Sequence, residues 1–253
     1  MAAMMDGTSP AAFMNPAALL LILGGTAGVT LGSVGMDTMK SIPTMYKLVM
    51  NAEPPDVKAQ AELLVSLAEQ ARREGLLALD AKVGEIEDEF TKKGLQLVVD
   101  GSDPDLVREV LEAEIEGMAT RHAKGAGMFE KAGGFAPTIG IIGTVMGLVH
   151  VLENLSAPST LGPSISSAFL ATLLGVASAN VVFLPVAYRL KAMSAGEIEL
   201  RMLTIEGILS VQAGDNPRIV SEKLLSYVSP SERPGAAGAS VSEMPEMPET
   251  KAA

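Results

Sequence analysis

The sequence predicts an all-α, multi-pass membrane protein with three transmembrane helices and a helical domain outside the bilayer. Three observations carry this. Hydrophobic residues make up 48% of 253 residues, with only 4% aromatic; the apolar residues gather in long uncharged runs; and all 19 Lys and Arg lie outside those runs. A net charge of −11 excludes a nucleic-acid binder, which must neutralise phosphates with clustered cations. With no Cys there is no disulfide framework, thiolate nucleophile or zinc-cysteine site, and two lone histidines, His122 and His150, make no metal cage. Both read as ordinary polar residues near a membrane surface, and no cofactor is expected.

The uncharged runs are Gly7 to Met36, Ala132 to Leu152 and Asn154 to Tyr188. Each reaches the roughly 20 apolar residues a helix needs to cross the hydrocarbon core, and the third is long enough to tilt. The expected order is an N-terminal stub (1–14), a transmembrane helix (15–36), a cytoplasmic helical domain (37–131), a second transmembrane helix (132–152), an external link (153–164), a third (165–188), cytoplasmic helices (189–234) and a disordered tail (235–253). Orientation follows from the cations, since short loops rich in Lys and Arg stay cytoplasmic. They fall between Lys40 and Lys131 or from Arg189 onward, so the loop and C-terminus are placed in the cytoplasm. The stub lacks a basic n-region and is not a signal peptide.

In the loop, Pro54 and Pro55 close a link before Asp56 opens an apolar-periodic helix through Leu63, Leu64, Leu67, Leu76 and Leu77. Ser102 or Asp103 caps the next helix with Pro104 at its first position, and Leu106, Val107, Val110, Leu111, Ile115 and Met118 form its apolar face. After the last span, Ala195 to Gln212 reads as an amphipathic helix, GDNP as a turn and Ile219 to Tyr227 as a helical end. Beyond Pro234 the tail has too little apolar surface to fold.

Small residues stripe the spans: Gly24, Gly28 and Gly32; Gly143 and Gly147; Ala171, Gly175 and Ala179. Such steps let helix backbones approach closely in lipid. The spans hold no Asp, Glu, Lys or Arg, the residues an ion-conducting protein ordinarily keeps in the membrane. The polar groups at depth are chiefly Thr26, Thr30, Thr144, Thr172, Ser178 and Asn180, with Pro137 and Pro185 interrupting the second and third spans. If ions pass, these hydroxyls and the carbonyls freed by proline form a wall around a charged group on another chain. The plainer reading is that the hydroxyls bond to their own helices and the prolines only kink them.

Several segments resemble the MotA family of flagellar stator subunits in order along the chain: NPAALLLILGGTAGVTLGS, ARREGLLALD (Ala71 to Asp80), APTIGIIGTVMGLVHVL, AFLATLLGVASANVVFLP, EGILSVQAGDNP and SERP (Ser231 to Pro234). Two departures stand out. The family has four membrane helices, and the stub stands where the first would end, as a start codon chosen too far downstream would produce; Asp80 replaces a glutamate and Ala177 a larger apolar residue. The resemblance implies a non-enzymatic stator subunit of the inner membrane that couples proton or sodium flow to torque. It further implies a pentamer around a MotB-like single-span partner carrying a membrane aspartate, with the rotor protein FliG as the second partner. Under it, Thr144 and Thr172 line the ion path, Pro137 and Pro185 couple ion entry to movement, and Arg72, Arg73 and Asp80, placed on one amphipathic helix, contact the rotor. The related ExbB and TolQ transducers naturally have three spans, and the LGGT, RREG and SERP segments argue against them.

Overall fold

The computed structural model describes residues 15–156 and 158–228, and every regular element among them is helical. The stub 1–14, the SERP segment and the tail 235–253 lie outside the described residues.

Among the described residues, three helices are long and apolar enough to cross a membrane. The first, α1 (Pro16–Val34), is capped by Asn15, whose side chain accepts from the backbone N–H groups of Ala17 and Ala18. It contains one wide π turn, Leu20–Gly24. Gly35, at φ +82°, ends it, and short helices α2 (Met36–Lys40) and α3 (Ile42–Asn51) follow. Next come α4 (Val57–Glu74), a 3₁₀ turn (Leu76–Leu79), α5 (Asp80–Val83) and α6 (Glu89–Val99). The second crossing lies in α7 (Pro104–Glu153), 50 residues without a break. The third lies in α8 (Pro158–Ala177), a π turn (Ser178–Phe183) and α9 (Leu184–Ala213). A last helix, α10 (Pro217–Leu225), is capped by Asn216.

Two local expectations are corrected. The helix opened by Asp56 stops at Glu74, because Gly75 takes φ +87°, which carries the chain out of helical geometry, so Leu76 and Leu77 fall in the 3₁₀ turn. The segment from Ala195 to Gln212 is no separate helix but the continuation of α9. Asp103 rather than Ser102 caps α7, accepting from Asp105 N at 2.9 Å.

The chain divides into two units, and the division falls inside α7 and α9: one unit holds 15–54 and 116–197, the other 55–115 and 198–228. The second unit has a conventional core, with Leu64, Leu79, Phe90, Leu95, Leu111 and Ile208 fully buried. It is fitted tightly enough that a Cβ on Gly94 would stand 2.5 Å from Ile208 Cδ1, and one on Gly207 2.6 Å from Leu64 Cδ1. One polar hub crosses this core. Gln60 Nε2 donates to Thr91 Oγ1 at 2.8 Å and to Thr204 Oγ1 at 3.0 Å, satisfying two hydroxyls that burial would otherwise penalise. At its edge Glu206 takes Arg108 Nη1 at 2.9 Å and Lys223 Nζ at 2.6 Å, tying α7, α9 and α10 together. Burial alone would raise the Glu206 pKa, but the hydrogen bonds and charges of Lys223 and Arg108 outweigh it and hold the carboxyl below its ordinary value.

The first unit packs by subtraction. Gly140 and Gly175 meet where α7 crosses α8: a Cβ on Gly175 would lie 2.6 Å from Ala136 O and 3.1 Å from Gly140 Cα. Farther along, Gly147 accepts Ala168 at the same closeness, and Gly143 receives Leu21 of α1. The absent side chains let backbones touch, which gives the dispersion contacts that hold helices together in lipid.

Candidate functional site

The tightest crossing of the membrane unit fixes its polar centre. Thr144 lies one turn beyond Gly140 on α7, and Thr172 one turn before Gly175 on α8, so backbone contact at the glycines brings the two hydroxyls together. They hydrogen-bond to each other. Thr144 Oγ1 also reaches Ala168 O across the helix boundary at 2.9 Å and Gly140 O of its own helix at 3.1 Å, and Thr172 Oγ1 reaches Gly140 O at 3.4 Å. Each hydroxyl has one proton and more acceptors than it can serve at once. When both donate to carbonyls, two oxygen lone-pair sets stand side by side; when either turns, the pair closes on itself. Both threonines are half-buried. No Asp, Glu, Lys or Arg occurs in 15–36, 132–152 or 165–188.

The two prolines lie elsewhere on the same helices. Pro137 is inside α7, one residue after Ala136, whose carbonyl Gly175 approaches. It leaves the carbonyl four residues earlier, on Gly133, without its helical donor. Pro185 is the second residue of α9, directly after the π turn Ser178–Phe183. In a regular α-helix its ring would clash with the carbonyl four residues earlier, on Val181, which lies inside that widened turn.

The structure does not place Arg72, Arg73 and Asp80 on one helix. The arginines occupy the last turn of α4, Gly75 ends it, and Asp80 opens α5 beyond the 3₁₀ turn. The physical reason is the positive φ of Gly75, legible in RREG as a glycine directly after a basic last turn. All three side chains remain exposed. Sequence reasoning missed the Glu206 clamp, whose signal is a lone carboxylate in the apolar run LTIEGIL.

Three helices among the described residues that are long and apolar enough to cross a membrane, two of them meeting at an uncharged hydroxyl pair, define a protein of the multi-pass membrane class. The sequence profile of the MotA/TolQ/ExbB proton channel family matches residues 82–202. Motility protein A of Bacillus subtilis is 37% identical over 230 residues, which cover 90% of this chain and 85% of the relative. The structure of the flagellar MotAB stator complex from Bacillus subtilis superposes with a TM-score of 0.83 at 37% identity, covering 89% of each chain. The structure of C. jejuni MotAB superposes with a TM-score of 0.85 at 28% identity, covering 90% of this chain and 89% of that one. The chain belongs to the MotA/TolQ/ExbB proton channel family. Its function is that of a flagellar stator subunit in the inner membrane, and the envelope-transducer alternative is not favoured.

Proposed function

We propose that this chain couples the flow of protons or sodium ions to torque on a flagellar rotor, through the hydroxyl pair Thr144 and Thr172. The observation that carries the reading is their meeting at the Gly140 and Gly175 crossing in spans that hold no Asp, Glu, Lys or Arg. The charged site then belongs to a MotB-like partner whose single span carries an aspartate, a reading supported by the MotAB complexes that this chain resembles. A ring of these chains, five in number, surrounds a pair of such spans. The spans lie at 15–36, 132–152 and 165–188, with the loop and C-terminus in the cytoplasm. No covalent chemistry enters, and the energy scale suffices: each charge crossing yields roughly 2.3 kcal/mol per 100 mV, comparable to moving one packed helix past another.

Ion entry places a cation beside the partner's carboxylate, and the threonine hydroxyls replace part of its hydration shell. Release reverses this, and the wide turn at Ser178–Phe183 with Pro185, together with the interrupted ladder at Pro137, are where α9 and α7 yield. Arg72, Arg73 and Asp80 deliver the movement to FliG through exposed charge, which docks and releases without a deep well. Because Gly75 separates them, the arginines and the aspartate act as two contacts on consecutive short elements.

The deciding experiment replaces Thr144 and Thr172 singly with valine and with serine. Valine is expected to abolish torque with the complex still assembled, and serine, which keeps the hydroxyl, to restore most of it. Full torque in both valine variants would sink the reading. Loss of assembly in Thr144→Val alone would assign that residue to the tether it forms with Ala168 O.

A further inference from the structure

The first membrane span ends against a cavity of about 720 Å³ that the ion path does not use. Its walls are Ser33, Gly35 and Asp37 on one side and Thr120, Lys124 and Lys131 of α7 on the other. Lys131 Nζ donates to Ser33 O at 3.1 Å, filling one of the three donor positions of an ammonium. Neither lysine has an acidic partner among the described residues: the neighbouring Glu130 is taken by Lys191, and Asp37 stands 3.7 Å from Lys40 on the outer side.

Depth identifies what such a cavity meets. The uncharged part of α1 ends at Val34, and the apolar run within α7 begins at Ala132, directly after Lys131. The cavity therefore sits at the boundary between hydrocarbon and headgroups, with the apolar side chains of Val34 and Met36 in its lining and exposed Val29 one turn before Ser33 on α1. Two unpaired ammonium groups there, next to apolar surface, fit an anion that carries acyl chains better than a free one.

We propose that this cavity binds the phosphodiester of a membrane phospholipid, Lys124 and Lys131 holding its oxygens while its chains lie against α1. Bound there, the lipid fixes the turn at Gly35, where the chain leaves the membrane span for α2 and α3. The proposal rests on the membrane placement of α1 and α7 and not on the coupling role of the threonines.

The test uses the full chain assembled with its partner, in nanodiscs of phosphatidylcholine containing phosphatidylglycerol, with lipid retained after extraction counted by native mass spectrometry. A lysine at an anionic membrane surface contributes roughly fivefold, so the double variant Lys124→Gln, Lys131→Gln is expected to retain about thirtyfold less phosphatidylglycerol. Lys58→Gln, in the other unit and outside the cavity wall, should retain as much as wild type. If the double variant does not assemble, Lys124→Gln alone, which leaves the Ser33 contact intact, should still lose about fivefold. Equal retention by wild type and the lysine variants overturns the site. Displacement of the retained lipid by inorganic phosphate at moderate concentration would make it a free-anion site and overturn the lipid assignment.

Discussion

The two units of this chain are held by opposite means. In the unit of 55–115 and 198–228 cohesion comes from what side chains bring: a filled apolar core, a glutamine serving two threonines, and a carboxylate shared by two cations. In the membrane unit it comes from what they lack, since α7 and α8 touch through Gly140, Gly147 and Gly175. Water explains the difference. Outside the bilayer, burying large side chains is itself favourable. Within lipid it gains nothing over lipid, so close backbone contact is what remains.

The sharpest way to break the comparison is to add apolar bulk where the membrane unit omits it. Gly175→Leu drives a side chain into Ala136 O and Gly140 Cα, backbone atoms that cannot give, and is expected to eliminate assembled complex on size-exclusion chromatography. If α7 and α8 did not touch through their backbones there, the extra volume would be tolerated and the complex would assemble. The converse deletion, Leu111→Ala in the other unit, removes a side chain with no exposed surface and is expected to cost about 2–5 kcal/mol, seen as a lowered unfolding temperature with insertion unaffected.

A smaller effect separates polar from apolar cohesion. Glu206→Gln leaves Arg108 and Lys223 without their carboxylate and should destabilise the unit by roughly 1–3 kcal/mol. The sign with pH follows from its depressed pKa: the contribution is fully present above the carboxyl's unfolded value and is lost as pH falls through the lower folded one. Unfolding temperature measured against pH should therefore drop in acid for the wild type, and drop less for the variant. A parallel pair of curves would show that Glu206 is not the titrating group.

The smallest effect lies inside the membrane unit. Thr26 and Thr30 are 1% and 3% exposed, and neither hydroxyl has a partner among the described residues. Both line a cavity of about 100 Å³ walled largely by apolar side chains such as Phe129 and Phe183. Thr30→Val keeps the shape and removes a buried donor, so unfolding temperature should stay level or rise slightly. The same change at Thr144, whose hydroxyl is bonded, should lower it.

Much of this was legible in the sequence because it rests on local rules. Charge-free runs mark the spans, and Asp56 announces its helix by being a good cap before a helical stretch, whereas Asn216, read as part of a turn, caps a helix that starts at Pro217 rather than Ile219. Thr144 and Thr172 were picked out from sequence, and that they meet follows from glycines four residues away on each helix, once the partner helices are known. What could not be read is which stripe turns inward. Gly24, Gly28 and Gly32 look like the other small-residue stripes, yet a Cβ on any of them would meet nothing within 4 Å, while Ala18, Ile22, Thr26 and Thr30 form the buried face of α1. Periodicity gives a face and not its partner. The glycine at position 75 was visible, but helical spacing on both sides of it concealed that a single backbone angle ends α4.

The wide turn at Ser178–Phe183 carries a consequence for phase. A π turn holds one residue more than an α turn, so everything beyond it is wound about 100° away from where uninterrupted winding would put it. The direction in which α9 presents Val186 and Ala187, both buried, is thus set by one supernumerary residue lying between them and Thr172.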